Sequence, residues 1–498
     1  MDGGATKRAS ISKYNIPSTY TVYIFGFINF DEPHVRQFFV ISIKSYHWFA
    51  PTVTSTSLFQ FLFLLILSSV ISQGVLGIER RNKQDDDEIS YFIYPLVYQV
   101  PGLGAGEGVG ATVGNLLGDG STLSLFQIKG EIEVDSIIAT DIPLFTKHLT
   151  LSAAYADGTK GGFAFYDRGS DSPEEPEFTL KFKRSWARAA DLGINFFDRQ
   201  LEFYYGAAFA LPEIDLERSD LADFDDWENL SSEEQEDSIA AFIKNFLLYI
   251  DLVNLFVTRQ GIKIDLTDDR IDPRDGYRFQ YEKYGFEGEG LKNFNVEDHS
   301  LTAYYPNENL SSVLVANVFY SKSKVTKPLS LFGGIEMEDT EGAVAECIAE
   351  SKGKPRDSTV SVETSCKGFV RGVQDFNAEG NNSNATSLGG PNRLRSYPIS
   401  RFYDTYSLFA GLEYRTYYLE SSTPFDFLFE KGVFKAVQSA IFYEIGQVSP
   451  TDNDALYSGF KYSTGVGLRL VFSSVVLRAD YATGKEGQET TVFIGYGF

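Results

Sequence analysis

The sequence predicts an all-β fold, a transmembrane antiparallel β-barrel of about 16 strands with a long inward-folded external loop. Three observations favour this fold: an aromatic strand at the carboxyl end, a composition that needs no long apolar helices, and short connections that alternate with long ones.

The last nine residues, 490–498, read as a closing strand. Side chains alternate along a strand, so every second residue from the end shares one face. That face is predicted to meet lipid, with glycines and Phe493 on the lumenal side. The residues of this carboxy-terminal strand signal are Val492, Ile494, Tyr496 and Phe498.

The composition fits the same class. The chain has 42 Phe, 29 Tyr and 44 Gly but only 2 Met, and its mean hydropathy is −0.16. Lipid-facing residues diluted by lumen-facing ones give such a mixture. With a net charge of −24, the chain has no surplus of positive charge that could neutralise phosphates, so we predict no nucleic-acid partner.

The amino-terminal part predicts export. Residues 57–77 contain a short apolar core that fades into small residues, which is typical of a cleavable signal peptide; a retained membrane anchor is the alternative. Residues 1–56 precede it and show no domain pattern. We interpret them as an extension that arises because the start codon is assigned too far upstream; the true start would lie further along, for instance at Val53. Residues 78–90 read as a periplasmic linker and 91–498 as the barrel.

Turn signals divide the barrel region. Short connections are predicted to face the periplasm and long connections the outside. This alternation gives a closed barrel of roughly 16 strands with both termini on the periplasmic side. Pro95 lies in the first strand and Pro101 follows it, so this strand is predicted to pair weakly with its neighbour. The predicted long connections are 158–187, 212–248, 287–296, 323–401, 448–458 and 483–489.

Two external loops carry further features. Residues 213–237 are rich in Asp and Glu, and residues 240–248 after them have helical spacing, which predicts a solvated acidic loop with a short helix. The acidic residues lack calcium-loop spacing, so we assign no metal. Cys347 and Cys366 could form one loop disulfide worth about 3 kcal/mol, or remain free thiols.

No catalytic arrangement is recognisable in the sequence. His148 and His299 lie in strand-like contexts, and no nucleophile elbow, zinc-protease helix or P-loop is present. We therefore predict a protein that is not an enzyme and that needs no cofactor.

Three segments form a candidate site. Glu444 lies in a strand whose alternation directs it, with Phe442 and Gly446, into the lumen. A lumenal carboxylate needs a partner, and Arg395, near the end of the longest loop, can supply a bidentate one. Glycines on this strand and the next leave room for the loop tip. The site residues are Arg395, Ser396, Tyr397, Phe442, Glu444, Gly446, Gly465 and Gly467.

These segments resemble the BamA/TamA surface-antigen superfamily of outer-membrane assembly barrels. Its hallmark is a loop tip, Val-Arg-Gly-Phe/Tyr, that contacts a Phe-x-Asp-x-Gly strand inside the barrel. Here the tip reads Leu-Arg-Ser-Tyr at 394–397 and the strand Phe-Tyr-Glu-Ile-Gly at 442–446; residues 268–277 resemble the family's Asp-Arg…Pro-x-x-Gly turn. The resemblance covers about 91–498. Ser396 replaces the tip glycine, and Glu444 replaces Asp.

The resemblance implies a location in the bacterial outer membrane and a role in outer-membrane protein insertion or protein translocation. A weak seam between the first and last strands would receive client strands. Implied partners are the lipid bilayer and client outer-membrane or secreted proteins. Residues 78–90 are too short for the family's periplasmic domains, which leaves open a separate periplasmic partner. A surface structural protein or a small-molecule pore is the alternative function.

Overall fold

A computed structural model describes residues 80, 89–118, 120–215, 231–251, 255–287, 292–327, 340–351, 361–380, 382–421, 424–427, 430–472 and 475–497. The predicted extension (1–56) and signal peptide (57–77) lie outside these residues. So do Phe498 and the predicted linker, apart from residues 80, 89 and 90. The boundaries predicted there stay predictions.

One antiparallel sheet contains every strand in the part of the chain that the structure describes. Its strands are β1 (Ser90–Val100), β2 (Gly104–Gly114), β3 (Thr122–Gly130), β4 (Glu133–Pro143), β5 (Leu149–Phe165), β6 (Phe178–Phe196), β7 (Leu201–Asp215), β8 (Leu255–Thr267), β9 (Gly276–Glu287), β10 (Asn293–Pro306), β11 (Ser312–Lys327), β12 (Tyr406–Tyr418), β13 (Pro424–Phe427), β14 (Glu430–Ser449), β15 (Lys461–Phe472), β16 (Val476–Gly484) and β17 (Gln488–Ile494).

The sheet closes into a barrel. Each wall strand pairs with its sequence neighbour, β12 pairs directly with β14, and β17 returns to β1. The four-residue β13 pairs only with the beginning of β14, among the described residues, so the wall has 16 strands. The predicted barrel class and strand number are confirmed. We call the end with the short turns and both barrel termini the turn end, and the other the loop end.

Side chains alternate between an apolar outside and a polar inside, as strand geometry requires. Outward residues such as Ile441 and Val466 are 63% and 53% exposed, whereas inward neighbours such as Glu444 and Arg469 are fully buried. Aromatic side chains gather on the outside near the turn end, where Tyr277 and Tyr305 meet edge to face at 6.2 Å. This arrangement is typical of the interface band of a membrane barrel.

Helices lie in two connections at the loop end. The helix α1 (Ser232–Asp251) follows the acidic loop and begins eight residues before the helical pattern predicted from sequence, because Ser231 and Glu234 form a capping box. The β11–β12 connection contains α2 (Thr340–Ser351) and α3 (Val362–Gly380). Cys347 and Cys366 are disulfide-bonded and join these two helices. Among the described residues, no helix is long and apolar enough to cross a membrane.

Several predicted connections are shorter than expected. The prediction of a loop over 158–187 is wrong at both ends, because β5 and β6 stay paired as far as Phe165 and Phe178. Two tight turns at the loop end, 101–103 and 131–132, were not among the predicted connections. Strand pairing therefore extends further towards the loop end than the turn signals predicted.

Candidate functional site

The end of the longest connection re-enters the lumen, and we call residues 388–398 the tip. Leu388, Leu394 and Tyr397 are fully buried in one apolar cluster with inward residues of β11, β12 and β14. The remaining members of that cluster are Phe319, Phe402, Phe409 and Val448. The tip is therefore packed against the wall as tightly as a protein core.

Glycines at the start of the tip make its sharp turn. Gly389 and Gly390 have φ values of +106° and +98°, a region that residues with a Cβ rarely adopt. The third positive φ, +53°, belongs to Leu394 and not to Ser396. Serine in the place of the family's tip glycine is therefore tolerated, because the left-handed residue precedes the arginine here.

The structure brings Arg395 and Glu444 together at the centre of the barrel. The Arg395 Nε donates to Glu444 Oε1 at 2.8 Å, and its backbone N–H donates to Oε2 at 2.9 Å. The guanidinium also lies 3.4 Å from the Phe442 ring centroid. The prediction that the guanidinium holds Glu444 by two bonds is wrong, because the second bond comes from the backbone.

The other two guanidinium nitrogens hold carboxylates that sequence reasoning missed. Arg395 Nη1 donates to Asp480 of β16 and Nη2 donates to Glu413 of β12, each at 2.8 Å. Arg395 therefore ties three strands to the tip through three buried carboxylates. Charge-assisted bonds of this length are the strong class of hydrogen bond.

Three further arginines complete a buried ion network, which we define as Arg395, Glu413, Arg415, Glu444, Arg469, Arg478 and Asp480. Arg415 and Arg469 both hold Glu413, at 2.7 and 3.1 Å. Four guanidinium groups thus face three carboxylates in a region closed to water. Alternating charges at 413/415 and 478/480 were the signal that could have found these residues.

The three predicted glycines make room for different groups. A Cβ at Gly446 would lie 2.7 Å from the Leu388 side chain, so this glycine admits the tip itself. A Cβ at Gly467 would lie 1.9 Å from Asp480 Oδ1, and one at Gly465 would lie 2.5 Å from the Phe442 ring. The latter two therefore make room for wall side chains and not, as predicted, for the tip.

Ser396 and Tyr397 fix the tip beyond the arginine. The Ser396 N–H donates to Ser463 Oγ at 3.0 Å, and the Tyr397 hydroxyl accepts from the Lys485 N–H at 3.3 Å. Both residues are buried. They connect the tip to β15 and to the β16–β17 turn.

The carboxy-terminal residues depart from the prediction at Tyr496. Val492 and Ile494 pair with outward positions of β16, so both lie on the predicted outer face, where β1 packs on Ile494. The strand ends at Ile494, and Gly495 has a φ of +92°, so the chain turns and Tyr496 enters the lumen. The lipid-facing assignment of Tyr496 is therefore wrong, because strand alternation stops at the glycine.

Inside the lumen, Tyr496 joins the turn end to the ion network. Its hydroxyl donates to Asp272 Oδ1 at 2.7 Å, an oxygen that also accepts from Tyr417 at 2.8 Å. Asp272 belongs to the β8–β9 turn, the segment that resembles the family's Asp-Arg…Pro-x-x-Gly turn. The Arg415 guanidinium lies 4.1 Å from the Tyr496 ring centroid, so one chain of contacts leads from the tip to the tail.

The seam between β1 and β17 is weakly paired. Gln99 opposite Val492 is the single register pair between these strands in the described part of the chain. By contrast, β1 pairs with β2 along all of its eleven residues. Pro95 lies in the stretch without a β17 partner, in agreement with the weak pairing predicted for this strand.

Below that pair, the two strands separate towards the turn end. The buried side chains of β1, Phe92, Tyr94 and Leu96, pack in part on outward residues of the strands on the other side of the seam. Tyr91 pairs with Lys431 of β14, which β1 reaches by crossing the outside of the wall. The outward residues that β1 covers are Phe472, Leu477 and Ile494. The last strand thus turns inward where the first strand lies outside it.

The residues that directly follow the tip span the seam at the loop end. The Ile399 N–H donates to Pro101 O in the β1–β2 turn at 2.7 Å. Arg401 Nε donates to Glu486 Oε2 in the β16–β17 turn at 2.8 Å. The same loop therefore holds both edges of the seam where they meet.

Within the described ranges, no group of three or more His, Cys, Asp and Glu side chains is placed to hold a metal ion. The network's acidic oxygens face guanidinium groups instead.

Comparisons with known proteins give barrels of low similarity. No protein-family model and no curated protein matches the chain. A BamA structure from Haemophilus ducreyi lacking POTRA domains 1–3 is 14% identical, with a TM-score of 0.40, over 83% of this chain and 69% of that one. OccK5 from Pseudomonas aeruginosa is 9% identical, with a TM-score of 0.28, over 82% and 98%. OccK2 from the same organism, in complex with glucuronate, is 9% identical, with a TM-score of 0.27, over 84% and 98%.

Proposed function

We propose that this barrel acts in the bacterial outer membrane as an insertion or translocation factor, with its turn end in the periplasm. Its seam would accept a strand of a client outer-membrane or secreted protein. The observation that carries the proposal is the single register pair between β1 and β17.

An unpaired strand edge supports this role. Between Gln99 and the Lys431 contact, β1 has no β17 residue opposite it among the described residues. Such an edge offers backbone donors and acceptors to an added strand. The separation lies towards the turn end, the side from which a periplasmic client would arrive. A client strand can therefore pair there without first breaking a full ladder.

The tip would keep the barrel intact while the seam is in use. Arg395 fastens it to three wall strands, and Ile399 and Arg401, which directly follow it, bind both seam turns. Opening from the turn end would leave these contacts in place. The ion network then braces β12, β14, β15 and β16, the wall strands that lead up to β17 on one side of the seam.

A pair of engineered disulfides tests the proposal. Gln99→Cys with Val492→Cys joins β1 to β17, while Gln99→Cys with Ala105→Cys joins β1 to β2 at a register pair that the proposal leaves closed. The assay is insertion of an unfolded barrel client into proteoliposomes, followed by protease protection. We expect oxidation to abolish insertion in the first variant and reductant to restore it.

The second variant is the matched control, since both proteins share the native disulfide and the Gln99 change. It should insert the client equally well before and after oxidation. Equal activity of both oxidised variants would overturn the seam proposal, as would a wild-type protein with no insertion activity, alone or with a periplasmic extract.

A small-molecule pore is the second candidate. A polar lumenal cavity lined by residues of β4–β9 favours it. In that case, planar bilayers should show conductance that the β1–β17 disulfide leaves unchanged.

A further inference from the structure

A polar cavity of about 300 Å³ lies in the lumen beside strands β4 to β9. Its wall is separate from the strands that carry the ion network, and its polar groups include both signs of charge. Those that bear on its chemistry are Ser152, Asp191, Glu202, Arg259, Lys263 and Gln280. A cavity of this volume holds a ligand of amino-acid or dipeptide size.

Some of these charges are already satisfied by the protein. Arg259 Nε donates to Glu282 Oε1 at 2.9 Å, and its Nη1 lies 3.5 Å from Asp191 Oδ2. The Tyr204 hydroxyl donates to the same Glu282 oxygen at 2.8 Å. Arg259 is therefore already ion-paired, and this cluster forms a fixed part of the cavity wall.

Glu202 and Lys263 differ from that cluster. They face each other across β7 and β8 in direct register. Opposite charges at such positions ordinarily pair, yet in the described part of the chain neither side chain makes an ion pair or a hydrogen bond. A carboxylate and an ammonium group therefore line one cavity without a direct ion pair between them.

We propose that this cavity binds a small zwitterion, such as a free dipeptide. The ligand's carboxylate would pair with Lys263 and its ammonium group with Glu202, while Ser152 and Gln280 supply hydrogen bonds to the polar body between them. A ligand with both charges satisfies both side chains at once, whereas a ligand with one charge leaves the other unpaired. This site does not depend on opening of the seam.

Ligand-observed saturation-transfer NMR on the purified full chain in detergent tests this site. The probes are alanyl-alanine, N-acetyl-alanyl-alanine and alanyl-alaninamide, which carry both charges, only the carboxylate and only the ammonium group. We expect saturable binding of alanyl-alanine at least tenfold tighter than of either analogue. Glu202→Gln and Lys263→Gln should each remove that preference, while Lys160→Gln, at the loop end of β5, should leave it intact.

The charge-swapped double variant, Glu202→Lys with Lys263→Glu, keeps both charges in the cavity and should recover binding of alanyl-alanine. Heat-modifiable gel mobility shows that each variant is a closed barrel. Equal binding of the three probes, no binding of any probe by the folded wild type, or an unchanged preference in both single variants would overturn the proposal.

Discussion

Removal of the Arg395 side chain should release the tip far more than removal of Arg393, two residues away. In Arg395→Ala, Glu413 keeps Arg415 and Arg469, and Asp480 keeps Arg469 and Arg478. Glu444 is ion-paired only with Arg395 among the described residues, so it alone is left as an uncompensated buried carboxylate. Removal of one partner of a buried ion pair costs about 3–5 kcal/mol.

Arg393→Ala removes much less. Arg393 as a residue is half-buried, and its guanidinium lies 3.6 Å from the Phe319 ring centroid, a contact worth about 1 kcal/mol. The two variants should therefore differ by at least about 2 kcal/mol, which is roughly a thirtyfold difference in an opening equilibrium. Arg395→Ala combined with Glu444→Gln should recover part of the loss, since no charge then remains unpaired.

Native-state proteolysis of the tip measures this difference. Refolded variants are treated with protease at low concentration, so that the cleavage rate reports the opening equilibrium. Gel mobility without heating serves as the control for an intact barrel. If Arg393→Ala and Arg395→Ala are cleaved at the same rate, the ion network does not hold the tip, and the reasoning is refuted.

Four further predictions concern separate parts of the molecule. Tyr496→Phe loses a hydrogen bond to a buried carboxylate and should lower stability towards urea by about 1.5 kcal/mol, whereas Tyr481→Phe, on the outside, should change it by less than about 0.5 kcal/mol. Gly467→Ala places a methyl group against the Asp480 carboxylate, and the same urea titration should show a loss of about 1–3 kcal/mol. Cys366→Ser should make the β11–β12 connection protease-sensitive, with a local loss of about 3 kcal/mol, while gel mobility of the barrel stays unchanged. Hydrogen bonds from the Ser231 backbone and hydroxyl lower the pKa of Glu234, so the capping box should stabilise α1 above the carboxyl's ordinary pKa and lose that effect as pH falls through the lowered value. Hydrogen exchange in the first turn of α1 should then speed up in acid, after correction for intrinsic rates, and Glu234→Gln should remove that dependence.

The barrel and the core of its site could be predicted because both follow from patterns among residues that are close together in the sequence. Strand alternation directed Glu444, Phe442 and Gly446 inward, and the long loop with its glycine pair gave Arg395 the reach to enter. These inferences rest only on two facts: side chains along a strand alternate with a period of two residues, and burying an unpaired carboxylate costs free energy. The prediction of weak pairing for the first strand also rested on a local feature, because a proline removes a hydrogen-bond donor from the ladder wherever the strand lies.

The remaining features depend on distance in space. Glu413 and Asp480 lie 18 and 85 residues from Arg395, and only the pairing and curvature of the sheet bring β12 and β16 to one guanidinium. Tyr496 left its predicted face because Gly495 turns the chain and the distant Asp272 supplies an acceptor. Within the strands, periodicity therefore predicts which side chains face inward, but this prediction does not extend past Ile494, where the last strand ends. The tertiary structure decided which of them meet, because strand register and closure set distances that periodicity does not contain.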